Sequence, residues 1–250
     1  MSVKIKGTKD SDGTVHIRWI PKYTFLERLG HWVHATTYIP LAITGFMLFA
    51  PWFNQITHGS AGQTFRLTHR VFAIILGLMP IIYALVEPKR LVMHLKENFR
   101  FTREDIGWLK AAIPYYVLGR HVEMPPQPRF NTGERINAVA IIIGTVLFGL
   151  TGFVMWFGRG VVPPIWFQLA VIVHDLTAIV TFAMFIVHFF LAVVHPLMWQ
   201  SLVSMRYGVI SESYAREHHA MGYYGEERAR ELWEEHKAET GHSDACGNGD

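Results

Sequence analysis

Apolar residues in this chain gather in four long blocks separated by polar connections of very unequal length. The blocks cover about residues 31–53, 71–86, 136–157 and 165–195. Each carries few or no charges over roughly 17–25 residues, the length a helix needs to cross a hydrocarbon layer. The second is the shortest and needs residues from Arg66 onward to span; the fourth exceeds the layer, so one end protrudes. Within the long connection between the second and third blocks, residues 101–118 read as a short interfacial helix. Trp108, Tyr115 and Tyr116 are its expected headgroup-level anchors. The Pro-rich stretch 123–129 reads as extended, and Asn131-Thr132-Gly133-Glu134 as a tight turn capping the third span. Beyond His195-Pro196 a polar, aromatic-bearing stretch to about residue 237 is expected to be helical. No internal repeat or low-complexity run is evident. The pattern predicts an all-α integral membrane protein, a four-transmembrane-helix bundle at 28–200. It would include an interfacial segment at 88–134 and polar tails at 1–27 and 201–250.

Charge placement turns the spans into a topology. Lys4, Lys6, Lys9, Arg18, Lys22 and Arg28 precede the first span, and the long connection carries a series from Lys89 and Arg90 to Arg129 and Arg135. Arg206, Arg216, Arg228 and Arg230 follow the last, whereas the two short connections hold only Arg66 and Arg159. Basic residues stay on the cytoplasmic side, so the expectation is N-in, C-in. Residues 1–18 are polar and lack an apolar core, so the first span directs insertion itself. The net charge of +3 is small and spread between the spans; it marks topology and not a nucleic-acid footprint. The single cysteine, Cys246, makes no internal disulfide and holds no iron–sulfur cluster. Any redox cofactor here must be held by histidine.

Two histidines, His174 and His188, lie fourteen positions apart inside the fourth block. That interval is close to four helical turns, placing both rings on one stripe roughly 21 Å apart along the axis. An imidazole in hydrocarbon is costly unless something engages it. The topology supplies partners at matching depths: His69 on the second span beside His174 near the outer face, and His31 or His34 on the first beside His188 near the inner. His195, seven residues after His188, competes for the inner level, although its place beside Pro196 favours a solvated role. His16, His58, His94, His121, His218, His219, His236 and His242 fall in polar segments and are expected at the surface. Zinc asks for four ligands, and only Asp175 lies near the outer pair. Haem brings four equatorial nitrogens, needs two axial ligands, and suits an interior rich in Phe and Leu. Gly45, Gly77, Gly144, Gly149 and Gly152 would leave room for flat rings, and equally serve ordinary helix packing. Two bis-histidine b haems is the natural reading.

The chain resembles the gamma subunit of respiratory formate dehydrogenases, a four-helix dihaem cytochrome b, over about residues 23–226. The likeness rests on Phe25-Leu-Glu-Arg28-Leu-Gly-His31-Trp32, Arg66-Leu-Thr-His69, Asn131-Thr-Gly133, the His174–His188 interval and Tyr214-Ala-Arg-Glu-His218-His219. The resemblance implies His31 as the ligand on the first span, since the family's histidine precedes Trp, and axial pairs His69/His174 and His31/His188. It also implies a quinone site (menaquinone or ubiquinone) beside the inner haem, with Asn131, Gly133 and Glu134 in its wall. Where the family's loop ends in Gln, this chain has Glu134, a carboxylate able to relay a proton. Asn131 and Glu134 read equally well as a helix cap with a first-turn acid. The implied role is a bacterial inner-membrane subunit that accepts electrons from an iron–sulfur partner. A molybdenum- or tungsten-type catalytic subunit would oxidise formate, since this chain has no machinery to do so. Cytochrome b subunits of hydrogenases or thiosulfate reductases share the plan. A histidine-lined transporter would show broken helices or mid-membrane acids, and the spans hold almost none apart from Asp175.

Overall fold

The computed structural model describes residues 8–9, 15–120 and 122–245. Lys4, Lys6, His121 and Cys246 lie outside them, and of Lys9 and His242 only the backbone is described. In chain order come β1 (Thr8–Lys9), β2 (Val15–His16), β3 (Trp19–Pro21), α1 (Phe25–Phe49), α2 (Gly59–Val86), α3 (Pro88–Phe99) and α4 (Arg103–Ala112). Then follow α5 (Thr132–Phe157), α6 (Pro164–Phe189), α7 (Trp199–Tyr207), β4 (Val209–Ser211), α8 (Glu212–His218), α9 (Ala220–Tyr224) and α10 (Glu226–Ala245). The chain divides into two compact units. One comprises Tyr23–Leu95 and Asn137–His195; the other comprises the residues up to Lys22, Lys96–Ile136, and those from Pro196 onward.

The first unit holds the spans. Among the described residues four helices are long and apolar enough to cross a membrane: α1, α2, α5, and α6 with its extension to Val194. Their burial is inverted relative to a water-soluble bundle. Thr37, Thr44, Leu76, Thr151, Ala170, Thr177 and Thr181 are buried, while Ile43, Phe46, Leu78, Phe153, Ile179 and Val180 are exposed. Lipid is as apolar as leucine, so nothing drives large side chains inward, and small residues that allow close packing take the interior. A Cβ on Gly144 of α5 would lie 2.8 Å from Thr181 Cγ2 on α6, so only glycine permits that approach. The buried threonine hydroxyls bond to carbonyls of their own helices, for example Thr37 to Val33 at 2.7 Å and Thr177 to Val173 at 2.7 Å. α1 starts at a reciprocal cap in which Thr24 N donates to Glu27 Oε2 (2.6 Å) and Glu27 N to Thr24 Oγ1 (3.4 Å).

Two boundaries differ from the expectation. α2 begins at Gly59, well before the apolar block, and with 28 residues it is not the shortest span. Within this added stretch Gly62 packs directly on the Thr57 carbonyl, a place where any Cβ would collide. At the other end of the bundle, α6 widens over Phe190–Val194 into i→i+5 bonding, with His195 N donating to Phe190 O at 2.9 Å. The wide turn rotates each residue by less than an α-turn does. His195 therefore leaves the stripe that carries His188, and the seven-residue arithmetic linking them fails.

The second unit is built from the polar segments. β3 pairs antiparallel with β4 in the register Trp19↔Ser211, Ile20↔Ile210, Pro21↔Val209, and a second short pair joins β1 to β2; both add strand to an otherwise helical chain. Ile210, Tyr214 and Ala215 form a core against Ile20 and Tyr223. Trp108 and Tyr116 are buried in this unit instead of standing as headgroup anchors, and Tyr115 is half-buried. The reason is local: Gly133 at the start of α5 leaves a gap that the Trp108 indole fills, so that a Cβ there would lie 2.9 Å from Trp108 Cη2. The first turn of α5 hangs on a buried polar hub. Asp105 of α4 accepts from Arg135 and from the Thr132 hydroxyl, and Gln127 Oε1 accepts from Thr132 N at 2.8 Å.

Candidate functional site

Within the span unit the histidines meet in two pairs. The His69 and His174 rings lie 6.3 Å apart between centroids, and those of His31 and His188 lie 6.1 Å apart. Each pair draws its members from separate helices: α2 and α6 for the first, α1 and α6 for the second. His34, one turn on from His31, stacks against Tyr38 with centroids 5.9 Å apart. Of the two, His31 is the one whose ring meets that of His188.

These separations bear on what the pairs can hold. Two imidazoles bound through nitrogen to opposite sides of one metal, at about 2.0–2.1 Å each, have centroids roughly 6.3 Å apart once ring width is added. Both pairs match that spacing. Among the described residues no three His, Cys, Asp or Glu side chains converge on a point, so a metal between two of these rings must bring its remaining ligands with it. Haem has that property. The ring environment agrees. Thr44 Oγ1 lies 2.9 Å from His69 Nδ1, and Thr151 Oγ1 lies 2.9 Å from His174 Nδ1; both bonds leave Nε2 as the nitrogen available to a metal. Phe148 meets the His174 ring edge-on at 5.0 Å. A Cβ at Gly45 would come 3.3 Å from His69 Cε1, and one at Gly152 3.8 Å from His174 Cε1, whereas Gly77 and Gly149 face open space. Among the described residues the buried His31 Nδ1 has no hydrogen-bond partner. The residues present fit two haems.

Thr44 and Thr151 were not singled out in the sequence, yet a signal was there. Ile43-Thr44-Gly45-Phe46 and Leu150-Thr151-Gly152-Phe153 repeat the same pattern, hydrophobic-Thr-Gly-Phe, late in α1 and late in α5. The pattern is short, and its meaning emerges only when each copy is seen against a histidine.

The second unit gathers Asn131, Gly133 and Glu134. Glu134 N donates to Asn131 Oδ1 and Asn131 N to Glu134 Oε2, both at 2.9 Å, which is the expected cap in reciprocal form. Glu134 Oε1 accepts from Lys22 Nζ at 2.9 Å, and Lys22 Nζ donates onward to His219 Nε2 at 3.1 Å. His219 Nδ1 in turn donates to Pro128 O at 3.0 Å. That last acceptor is a carbonyl, so the proton sits on Nδ1 and the neutral ring accepts at Nε2. Burial, then the Lys22 ammonium, holds His219 down at about 3. Burial also raises Tyr116 and Tyr214 above the usual phenol range and lowers His218. With both oxygens engaged, Glu134 is held as the carboxylate of an ion pair, a poor proton relay.

Three histidines expected at the surface are not there. His219 is 3% exposed and His218 lies against Tyr214 with centroids 4.3 Å apart. His94 Nε2 pairs with Glu27 Oε1 at 2.6 Å while its ring stacks on Tyr83 at 6.0 Å. Their sequence segments are polar, but α3 and the β4–α9 segment fold back on neighbours within their units. A polar run says nothing of such docking.

A protein-family model described as prokaryotic cytochrome b561 matches residues 22–208. The chain is 24% identical over 210 residues to the formate dehydrogenase cytochrome b556(fdo) subunit of Escherichia coli K12, covering 82% of this chain and 92% of that protein. It is 22% identical over 219 residues to the nitrate-inducible formate dehydrogenase cytochrome b556(Fdn) subunit of the same strain, covering 85% and 94%. The Shigella flexneri protein of that description matches to the same extent.

Proposed function

This chain belongs to the prokaryotic cytochrome b561 family, and we propose that it is the membrane-anchoring dihaem cytochrome b subunit of a respiratory formate dehydrogenase. The observation that carries the proposal is the meeting of two imidazole pairs from separate spans, each at the spacing one shared metal sets. Haem b, when bound, supplies a centre that takes up and releases one electron. His69 and His174 would hold one such group, and His31 and His188 the other. The four apolar helices carry both pairs, and Thr44, Thr151, Gly45, Gly152 and Phe148 surround the His69–His174 pair.

On this reading the chain receives electrons from a partner iron–sulfur subunit and delivers them to membrane quinone, menaquinone or ubiquinone. A molybdenum- or tungsten-type partner subunit oxidises formate; that substrate is taken from the descriptions of the Escherichia coli relatives. The basic connections favour N-in, C-in insertion in the bacterial inner membrane, with the His69–His174 pair toward the outer face. Asn131, Gly133 and Glu134 form part of the quinone wall. In support, the reciprocal cap fixes their backbone, and Lys22 offsets the charge that Glu134 introduces where the family's loop carries Gln.

The test is a reduced-minus-oxidised spectrum of the purified complex with a pyridine extract to count porphyrin. Two b haems per chain are expected, and a colourless chain produced with its partners and ample haem would refute the reading. Quinone reduction by the native complex is expected with formate. Activity with hydrogen or thiosulfate instead would assign the chain to a different dehydrogenase.

A further inference from the structure

The two imidazoles of the His69–His174 pair are held in the same way. In each case a threonine on the span preceding the histidine approaches its Nδ1. Thr44 lies 25 residues before His69 and Thr151 lies 23 before His174, both contacts being 2.9 Å. Each hydroxyl also donates to the carbonyl four residues back, Thr44 to Pro40 at 2.7 Å and Thr151 to Leu147 at 2.6 Å. A hydroxyl has one proton. With that proton committed to the carbonyl, the oxygen accepts from Nδ1–H, and the neutral imidazole presents a bare Nε2. The residue after each threonine is glycine, and its missing Cβ leaves space at the ring's Cε1 edge, closest for Gly45 against His69.

We propose that Thr44 and Thr151 are paired positioning residues, each fixing the tautomer and rotation of its histidine so that both Nε2 atoms face one metal. The proposal rests on the reading of His69 and His174 as haem ligands. At the other level His31 differs: its Nδ1 is buried without a hydrogen-bond partner among the described residues. The residue fourteen positions beyond His69, which would mirror His188, is Tyr83. Both copies of the pattern lie at the His69–His174 level. An Nδ1–H that donates makes its ring a stronger electron donor to a metal, which favours the oxidised state and lowers the midpoint potential of that centre alone.

The experiment uses the full chain in membranes with its partner subunits. Thr44→Val and Thr151→Val remove the hydroxyl at nearly constant volume; Thr44→Ser and Thr151→Ser keep it. Redox titration of the haem absorption, electron paramagnetic resonance of the oxidised sample and a porphyrin count are read together. Each Val variant is expected to raise the midpoint of one component and move its low-spin signal, while the other component stays put, and the Ser variants are expected to restore both. Loss of one haem per chain in a Val variant, regained with Ser, supports the same role. Unchanged potentials and signals in both Val variants overturn it, as does equal haem loss in Val and Ser variants, which marks a packing role. An unsubstituted chain without haem overturns the underlying ligand reading as well, and shows itself before any substitution is made.

Discussion

Replacing Lys22 by Met removes an ammonium from a buried chain of polar groups while keeping most of its apolar stem. In the native protein that ammonium donates to Glu134 Oε1 at 2.9 Å and to His219 Nε2 at 3.1 Å. The Lys22 side chain is 4% accessible and that of Glu134 28%. Removing one partner of a buried pair costs about 3–5 kcal/mol, because the other charge is stranded. Glu134 keeps a hydrogen bond from Asn131 N and some access to water, so the low end applies, about 3 kcal/mol. For a chain of this size about 2–4 °C of melting temperature accompanies each kcal/mol, which places the fall at roughly 6–12 °C. Adding Glu134→Gln removes the stranded charge, so the double variant should melt above Lys22→Met, with a coupling of roughly 1–3 kcal/mol. The assay is thermal unfolding of the detergent-solubilised complex, followed by near-ultraviolet circular dichroism. A double variant melting at or below Lys22→Met would show that no charge is stranded and that the ion pair is not what holds the α5 cap to Lys22.

Other consequences are as direct. If the proposed ligand pairs are right, His188→Ala should halve the haem content and leave the component assigned to His69 and His174; retention of both haems would show that a different residue ligates at that level. His219 titrates at about 3 in the fold against an ordinary 6.5, so the unfolded chain takes up the proton first. Its contribution to stability is intact above pH 6.5 and declines by about 1.4 kcal/mol per pH unit as the pH falls from there toward 3. His219→Gln should flatten the acid side of the melting profile between pH 6.5 and 4.5, and an unchanged slope would reject the assignment. Gly144→Ala sets a methyl 2.8 Å from Thr181 Cγ2 and should cost about 1–3 kcal/mol by overpacking. Thr181→Ser in the same chain removes that methyl and should recover most of the loss; no recovery would mean that the strain lies elsewhere.

By itself the sequence determined the four long apolar helices and the histidines they carry. Charge-free runs of this length have few alternatives to crossing a membrane, because every backbone polar group must be satisfied within the segment. The fourteen-residue interval of His174 and His188 follows from helical periodicity alone, and the Asn131–Glu134 cap is a local motif whose partners are three residues apart. Whatever depends on approach between distant segments was decided only by the tertiary structure. His31 and His34 are equivalent by spacing, and only the packing of α1 beside α6 sets one of them against His188. His195 left its stripe because the helix widened after Phe189, a change that no periodic reading registers. Trp108, His94 and His219 sit in polar surroundings in sequence and are covered in the fold, because Gly133, Glu27 and Lys22 come from elsewhere in the chain to meet them. The Thr-Gly-Phe repeat was written in the sequence in full. It acquired a meaning only when each threonine was found against a ring more than twenty residues away, since a hydrogen bond is specified by position in space and not by order along the chain.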